Sequence, residues 1–85
     1  MHEVGILQGL MEEIISQAKK QNAVKVTRVK VKTGKLEELT LDSFCFWFEQ
    51  LSKGTIVDGA ELVLTNTTDE EAGVYLEEME VERDE

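Results

Sequence analysis

The sequence predicts an α+β domain in which two helices pack on one face of a three-stranded sheet, in the order helix, strand, helix, strand, strand. Three observations carry this expectation. Two apolar stripes recur at helical spacing, three valine- and leucine-rich segments have the length of strands, and 85 residues suffice for a single core only.

From Val4 to about Gln21, the residues Ile6, Leu7, Leu10, Met11, Ile14, Ile15 and Ala18 fall at spacings of three and four, with Glu12, Glu13, Gln17 and Lys20 mostly opposite, which predicts an amphipathic helix. Glu3 near its start and Lys19 and Lys20 near its end suit the helix dipole, and Asn22 is a fitting left-handed stop. Val24 to Thr33 reads as a strand ending at Gly34, with an apolar phase slip between Val26 and Val29 that calls for a bulge or a two-faced strand. Thr40 can cap a second helix, Leu41 to about Ser52, in which Phe44, Phe48 and Leu51 share one face while Cys45, Phe46 and Trp47 widen the apolar arc; Lys53 and Gly54 close it. Gly59 to Thr65 alternates Ala60, Leu62 and Leu64 inward with Glu61, Val63 and Thr65 outward, and Val74 to Glu82 gives a last strand with a slip near Glu77 and Glu78. The polar, glycine-ended segment 66–73 has the length of a generous hairpin loop, so the last two strands are expected to pair antiparallel.

Charge is uneven along the chain. The net charge is −9, of which residues 1–68 contribute −1 and residues 69–85 contribute −8, while seven of the nine basic residues lie between Lys19 and Lys35. A basic strand can therefore lie beside an acidic one. A sequence pI near 4.5 argues against nucleic acid and anionic membranes as partners. One cysteine excludes an internal disulfide, and the sequence has neither a leader pattern nor an apolar run of membrane-spanning length, so the expected location is cytoplasmic.

The first residues are Met1, His2 and Glu3. A free terminal amine, the deprotonated amide of His2 and its Nδ1 close a five-membered and a six-membered chelate ring around one ion, and three nitrogens in a plane favour Ni(II) or Cu(II) over zinc, calcium or magnesium. From spacing alone, a lone histidine at a chain end is more often simply solvated.

Met1-His2-Glu3 ahead of an apolar helix, a strand ending at Gly34-Lys35-Leu36, the helix Phe44-Cys45-Phe46-Trp47-Phe48-Glu49, then Gly54-Thr55, Gly59-Ala60-Glu61-Leu62 and the closing Leu76-Glu77-Glu78-Met79-Glu80-Val81-Glu82 together resemble the HypA family of hydrogenase nickel-insertion proteins. The resemblance covers nearly the whole chain except 66–73. It implies Ni(II) held by Met1 and His2, with Glu3 as a neighbouring or fourth ligand. It also implies a role in maturing a nickel enzyme such as nickel-iron hydrogenase, alongside a maturation GTPase and a hydrogenase or urease precursor. In that family an inserted zinc domain with two CxxC pairs separates the last two strands. Here Cys45 is the only cysteine, and a structural zinc site needs about four Cys or His ligands, so no zinc is expected. The expected organisation is one HypA-like nickel-binding domain over 1–85, with loop 66–73 in place of the zinc domain, either as a natural reduced relative or with the insertion cut out.

Other constellations point elsewhere. Cys45, set among phenylalanines, is expected in the core, and most of the aromatics are expected to pack there too, with Phe46 and Trp47 the candidates for exposure. The acids Glu77, Glu78, Glu80, Glu82, Asp84 and Glu85 alternate along a strand without the spacing of a calcium loop, which suits a solvated surface partly paired with the basic strand. Catalysis finds no support: no serine or cysteine has a second histidine to activate it, and no glycine-rich phosphate loop is present. The alternative function, from a different class, is a metal-independent protein-interaction or regulatory module that keeps the fold. A shortened connector at 66–73 leaves both a monomer and a homodimer by strand exchange open.

Overall fold

The computed structural model describes residues 3–34, 40–66 and 73–84, with the side chains of Glu3 and Val4 left aside. The elements are α1 (Glu3–Lys20), β1 (Ala23–Thr33), α2 (Leu41–Ser52), β2 (Glu61–Asn66) and β3 (Val74–Arg83), in the expected order.

The buried side of α1 is Leu7, Leu10, Met11, Ile14 and Ala18, spaced so that one stripe meets the sheet. Ile6, expected on that stripe, is exposed, because the stripe has rotated past it at the start of the helix. Only Gln21 and Asn22 separate α1 from β1, and Asn22 adopts φ 59, the left-handed stop anticipated from its side chain. The chain therefore reverses, and α1 lies back across β1 and β3. Arg83 confirms the direction by donating from Nε to the Gln21 carbonyl at 2.8 Å and from Nη2 to Gln21 Oε1 at 3.0 Å.

Helix α2 starts at Thr40, whose side-chain oxygen accepts from the Ser43 N–H at 3.0 Å. Phe44 and Phe48 turn into the core, with Leu51 half-buried beside them. The following turn is tied closely: the Thr55 hydroxyl donates to the Ser52 carbonyl at 2.7 Å and accepts from the Val57 N–H at 3.0 Å, which drives Val57 into the core, fully buried. Gly54 and Gly59, at φ 79 and 83, supply the two left-handed corners of that turn.

The strand order is β2-β1-β3, which corrects the expected hairpin. β1 pairs in parallel with β2, from Arg28 opposite Glu61 to Thr33 opposite Asn66, and antiparallel with β3, from Ala23 opposite Arg83 to Thr33 opposite Val74. β2 and β3 are not neighbours. A short connection between two strands suggests a hairpin only when their facing edges are free, and here the longest strand, with Val26, Val29 and Val31 fully buried, takes the centre and offers an edge to each. The central placement also sets the basic strand beside the acidic one, with Arg28 Nη1 and Glu80 Oε2 at 3.0 Å on the open face of the sheet. Both phase slips are bulges. Thr27 is the extra residue on β1 between Val26 and Arg28, and Glu77 is the extra residue on β3 between Leu76 and Glu78. Each restores the inward phase, so that Leu76, Met79 and Val81 all pack on the core.

Cys45 is exposed, against the expectation of a core thiol. The apolar arc of α2 is wider than the strip that the sheet can cover, so Cys45, Phe46 and Trp47 fall outside it. Phe46 (53% exposed) and Trp47 (38% exposed) meet edge to face with ring centroids 5.3 Å apart. Among the described residues no helix is long and apolar enough to cross a membrane.

Candidate metal-binding pole

Met1 and His2 lie outside the described residues, and of Glu3 the structure gives its place as the first residue of α1. The residues that carry the metal expectation therefore stand at the head of a helix that is firmly seated further down. Leu7, 1% exposed, is its first core anchor, one turn past Glu3. Gly5 lies between them with no heavy atom within 4 Å of the position its Cβ would take, and its φ is not in the left-handed range. Neither space nor backbone geometry requires a glycine at that position. Its effect is to weaken the first turn by about 1 kcal/mol relative to alanine.

The reversal at Gln21–Asn22 carries the head of α1 to the Thr33 end of β1, and the crossover through α2 brings Leu41 to the same pole. The exposed Ile6 and Leu41 both belong to this end of the molecule. The flanks of 67–72 meet there as well. Asn66 Nδ2 donates to Thr33 Oγ1 at 2.8 Å and to the Gly34 carbonyl at 3.3 Å, and the Gly34 N–H donates to the Gly73 carbonyl at 2.9 Å. The segment expected to replace a zinc domain thus leaves and re-enters beside the pole that α1 points toward. This clamp escaped the sequence reading. A lone Asn before a polar run is the only signal of it, and such a residue reads equally well as a turn.

Among the described residues, no three His, Cys, Asp or Glu side chains are grouped to hold a metal ion. Cys45, Glu49 and Asp58 edge one hollow between α2 and β2 without converging, and Glu13, Glu77 and Glu78 edge another between α1 and β3. All five acidic residues are exposed, and Glu77 and Glu78 edge the same hollow instead of alternating because the β3 bulge falls at Glu77.

The family described as "Hydrogenase/urease nickel incorporation, metallochaperone, hypA" matches residues 1–72. The chain belongs to the HypA family. Over 63 residues it is 40% identical to the hydrogenase maturation factor HypA of Caldanaerobacter subterraneus subsp. tengcongensis, covering 74% of this chain and 55% of that protein. Over 75 residues it is 35% identical to the hydrogenase maturation factor HypA of Pyrococcus horikoshii, covering 88% of this chain and 51% of that one. The solution structure of the Ni metallochaperone HypA from Helicobacter pylori superposes with a TM-score of 0.68 at 24% identity, over 92% of this chain and 72% of that one, which shows the shared fold. This HypA-family chain spans about half the length of the curated relatives it matches. The family match begins at Met1, so it takes in the three residues singled out for metal.

Proposed function

We propose that this chain is a nickel-binding domain that carries Ni(II) for the maturation of a nickel enzyme, a hydrogenase or a urease, as an accessory protein rather than a catalyst. The observation that carries the reading is the family match from residue 1 onward, joined to the sole histidine immediately ahead of a core-anchored helix. In a chain that starts at Met1, the terminal amine, the His2 amide and the His2 Nδ1 supply three planar nitrogens; Glu3 is the nearest anionic group for the fourth position or for orienting the others. An open fourth position suits a carrier, because a partner's ligand can enter before the others leave. The residues present fit nickel. They do not fit zinc: within these 85 residues Cys45 and His2 are the only thiol and imidazole, fewer than a closed zinc site takes. We read residues 1–85 as one such domain, with 66–73 at the point where the family resemblance implies an inserted zinc domain. Its expected setting is the cytoplasm, with a maturation GTPase and the enzyme precursor as partners.

The exposed Phe46–Trp47 pair favours a second reading, a metal-independent interaction module on the same fold. One titration separates the two. Ni(II) is added to untagged protein beginning at Met1, and the d-d absorption of a square-planar nitrogen site is followed in the wild type and in His2→Ala. One ion per chain in the wild type, lost in the variant, with affinity rising as pH rises because the amide must release its proton, is the expected result. Equal uptake by both proteins sinks the nickel assignment, and no uptake by either leaves the interaction module.

A further inference from the structure

At the pole opposite the head of α1, the last turns of that helix, the start of β1 and the turn after α2 enclose a shallow groove of ≈ 570 Å³ lined by Ile15, Lys19, Val24, Lys25, Thr55 and Ile56. It continues along α1 past Ser16 to Lys20. Its floor is apolar for a specific reason. β1 and β3 slip register between Ala23 and Lys25, so Val24 is the unpaired residue of a bulge, and a side chain that regular pairing would commit to the sheet is turned out, 52% exposed. Ile15 and Ile56 flank it, each half-buried. The far wall is fixed before anything binds: the Val26 N–H donates to the Ile56 carbonyl at 2.8 Å, and the Gly54 N–H donates to the Asp58 carboxylate at 3.3 Å. Lys25 Nζ donates to the Asp58 carbonyl at 2.8 Å, which holds a positive charge at the rim.

The rim is basic on a strongly acidic molecule. Lys19, Lys20 and Lys25, with Lys53 adjoining Gly54, stand against the carboxylates of Glu12, Asp58 and Glu82, the last directly opposite Lys25 on β3, so the rim is locally basic whereas the whole chain carries −9. We propose that this groove docks a short acidic segment of a partner protein, seating one aliphatic side chain on Val24, Ile15 and Ile56 with flanking Asp or Glu against the lysines. A second copy of the chain, a nucleic acid or an anionic membrane meets the field of the whole molecule, which repels all three; a short segment meets the local field of the rim. A preformed wall spares the cost of ordering it on binding. Ile15, where α1 enters the groove, lies about 18 Å along the helix from its head, so a tethered partner leaves that end free to exchange metal.

The inference does not rest on nickel, and its test uses metal-free protein. The probe is a blocked twelve-residue peptide of alternating glutamate and leucine, titrated into ¹⁵N-labelled protein, with two controls: the same peptide with lysine for glutamate, and one with serine for leucine. The expected result is a set of amide shifts centred on Ile15, Val24 and Ile56 with the glutamate-leucine peptide only. Val24→Ser should weaken its binding about tenfold, and Lys19→Gln with Lys20→Gln about three- to tenfold, with less effect at high salt. Val24 is exposed and both lysines lie on the solvent side of α1, so these variants keep the core, and unchanged shifts elsewhere check that they do. Equal binding of the lysine or serine peptide, shifts centred on Phe46 and Trp47, or no shifts at millimolar peptide would each overturn the proposal.

Discussion

The clamp at the Thr33 end of β1 gives an asymmetric double-mutant prediction. Asn66 Nδ2 donates to Thr33 Oγ1 at 2.8 Å; Thr33 is fully buried, whereas Asn66 is exposed. Thr33→Val removes the acceptor, but the Asn66 amide can turn to water and keeps a weaker bond to the Gly34 carbonyl at 3.3 Å, so the loss is one neutral hydrogen bond, about 0.5–1.5 kcal/mol. Asn66→Ala is worse, because it leaves the buried Thr33 hydroxyl without that donor, at about 1–3 kcal/mol. In the Asn66→Ala background, Thr33→Val should then stabilise by removing the stranded hydroxyl. The sign of its effect reverses between the two backgrounds, with a coupling of about 1–2 kcal/mol. Thermal and urea unfolding of the four proteins by circular dichroism reads this, each kcal/mol shifting Tm by about 4–8 °C in a domain of this size. Additive effects of the two changes would refute the clamp. Its consequence is architectural. With Asn66 and Gly73 both tied to β1, doubling the length of chain between them costs only about 0.6 kcal/mol, so this junction tolerates inserted chain.

Phe44→Ala should remove about 3–5 kcal/mol, since the ring is fully buried in the core cluster, and urea unfolding should find the variant near the limit of folding; a loss under about 1 kcal/mol contradicts the packing described. Cys45 should react with a thiol reagent in the native protein as fast as in urea-unfolded protein, and a reaction that waits on unfolding would return the thiol to the core.

The helices were legible because each writes its own boundary signals. The second helix, expected from Leu41 to about Ser52, spans Leu41–Ser52, with a hydroxyl at Thr40 to start it and Gly54 to follow it. The β1 and β3 bulges were legible too, as breaks in an otherwise regular alternation, at Thr27 and Glu77. Besides Ile6, two readings failed, for opposite reasons. The expected hairpin failed because connector length says nothing of which edge another strand already occupies. Cys45 was misplaced because apolar neighbours in sequence were taken for neighbours in space, whereas on a helix they fan around the axis. For the expected metal ligands Met1, His2 and Glu3, the sequence was the sole source; the structure contributed the seated helix that starts at Glu3 and the company of Ile6, Leu41 and the 66–73 junction at the same pole.

By itself, then, the sequence determined the elements, their inward faces, the opposed charges of β1 and β3 and the family, because periodicity, caps and short motifs depend on residues a few positions apart. Tertiary structure decided that β1 lies between β2 and β3, that Val57 belongs to the core, that Cys45 faces out beside Phe46 and Trp47, and that Val24 opens into a lysine-rimmed groove. Each of these is settled by competition among distant segments for a limited number of strand edges and a limited area of sheet, a contest that no local pattern records.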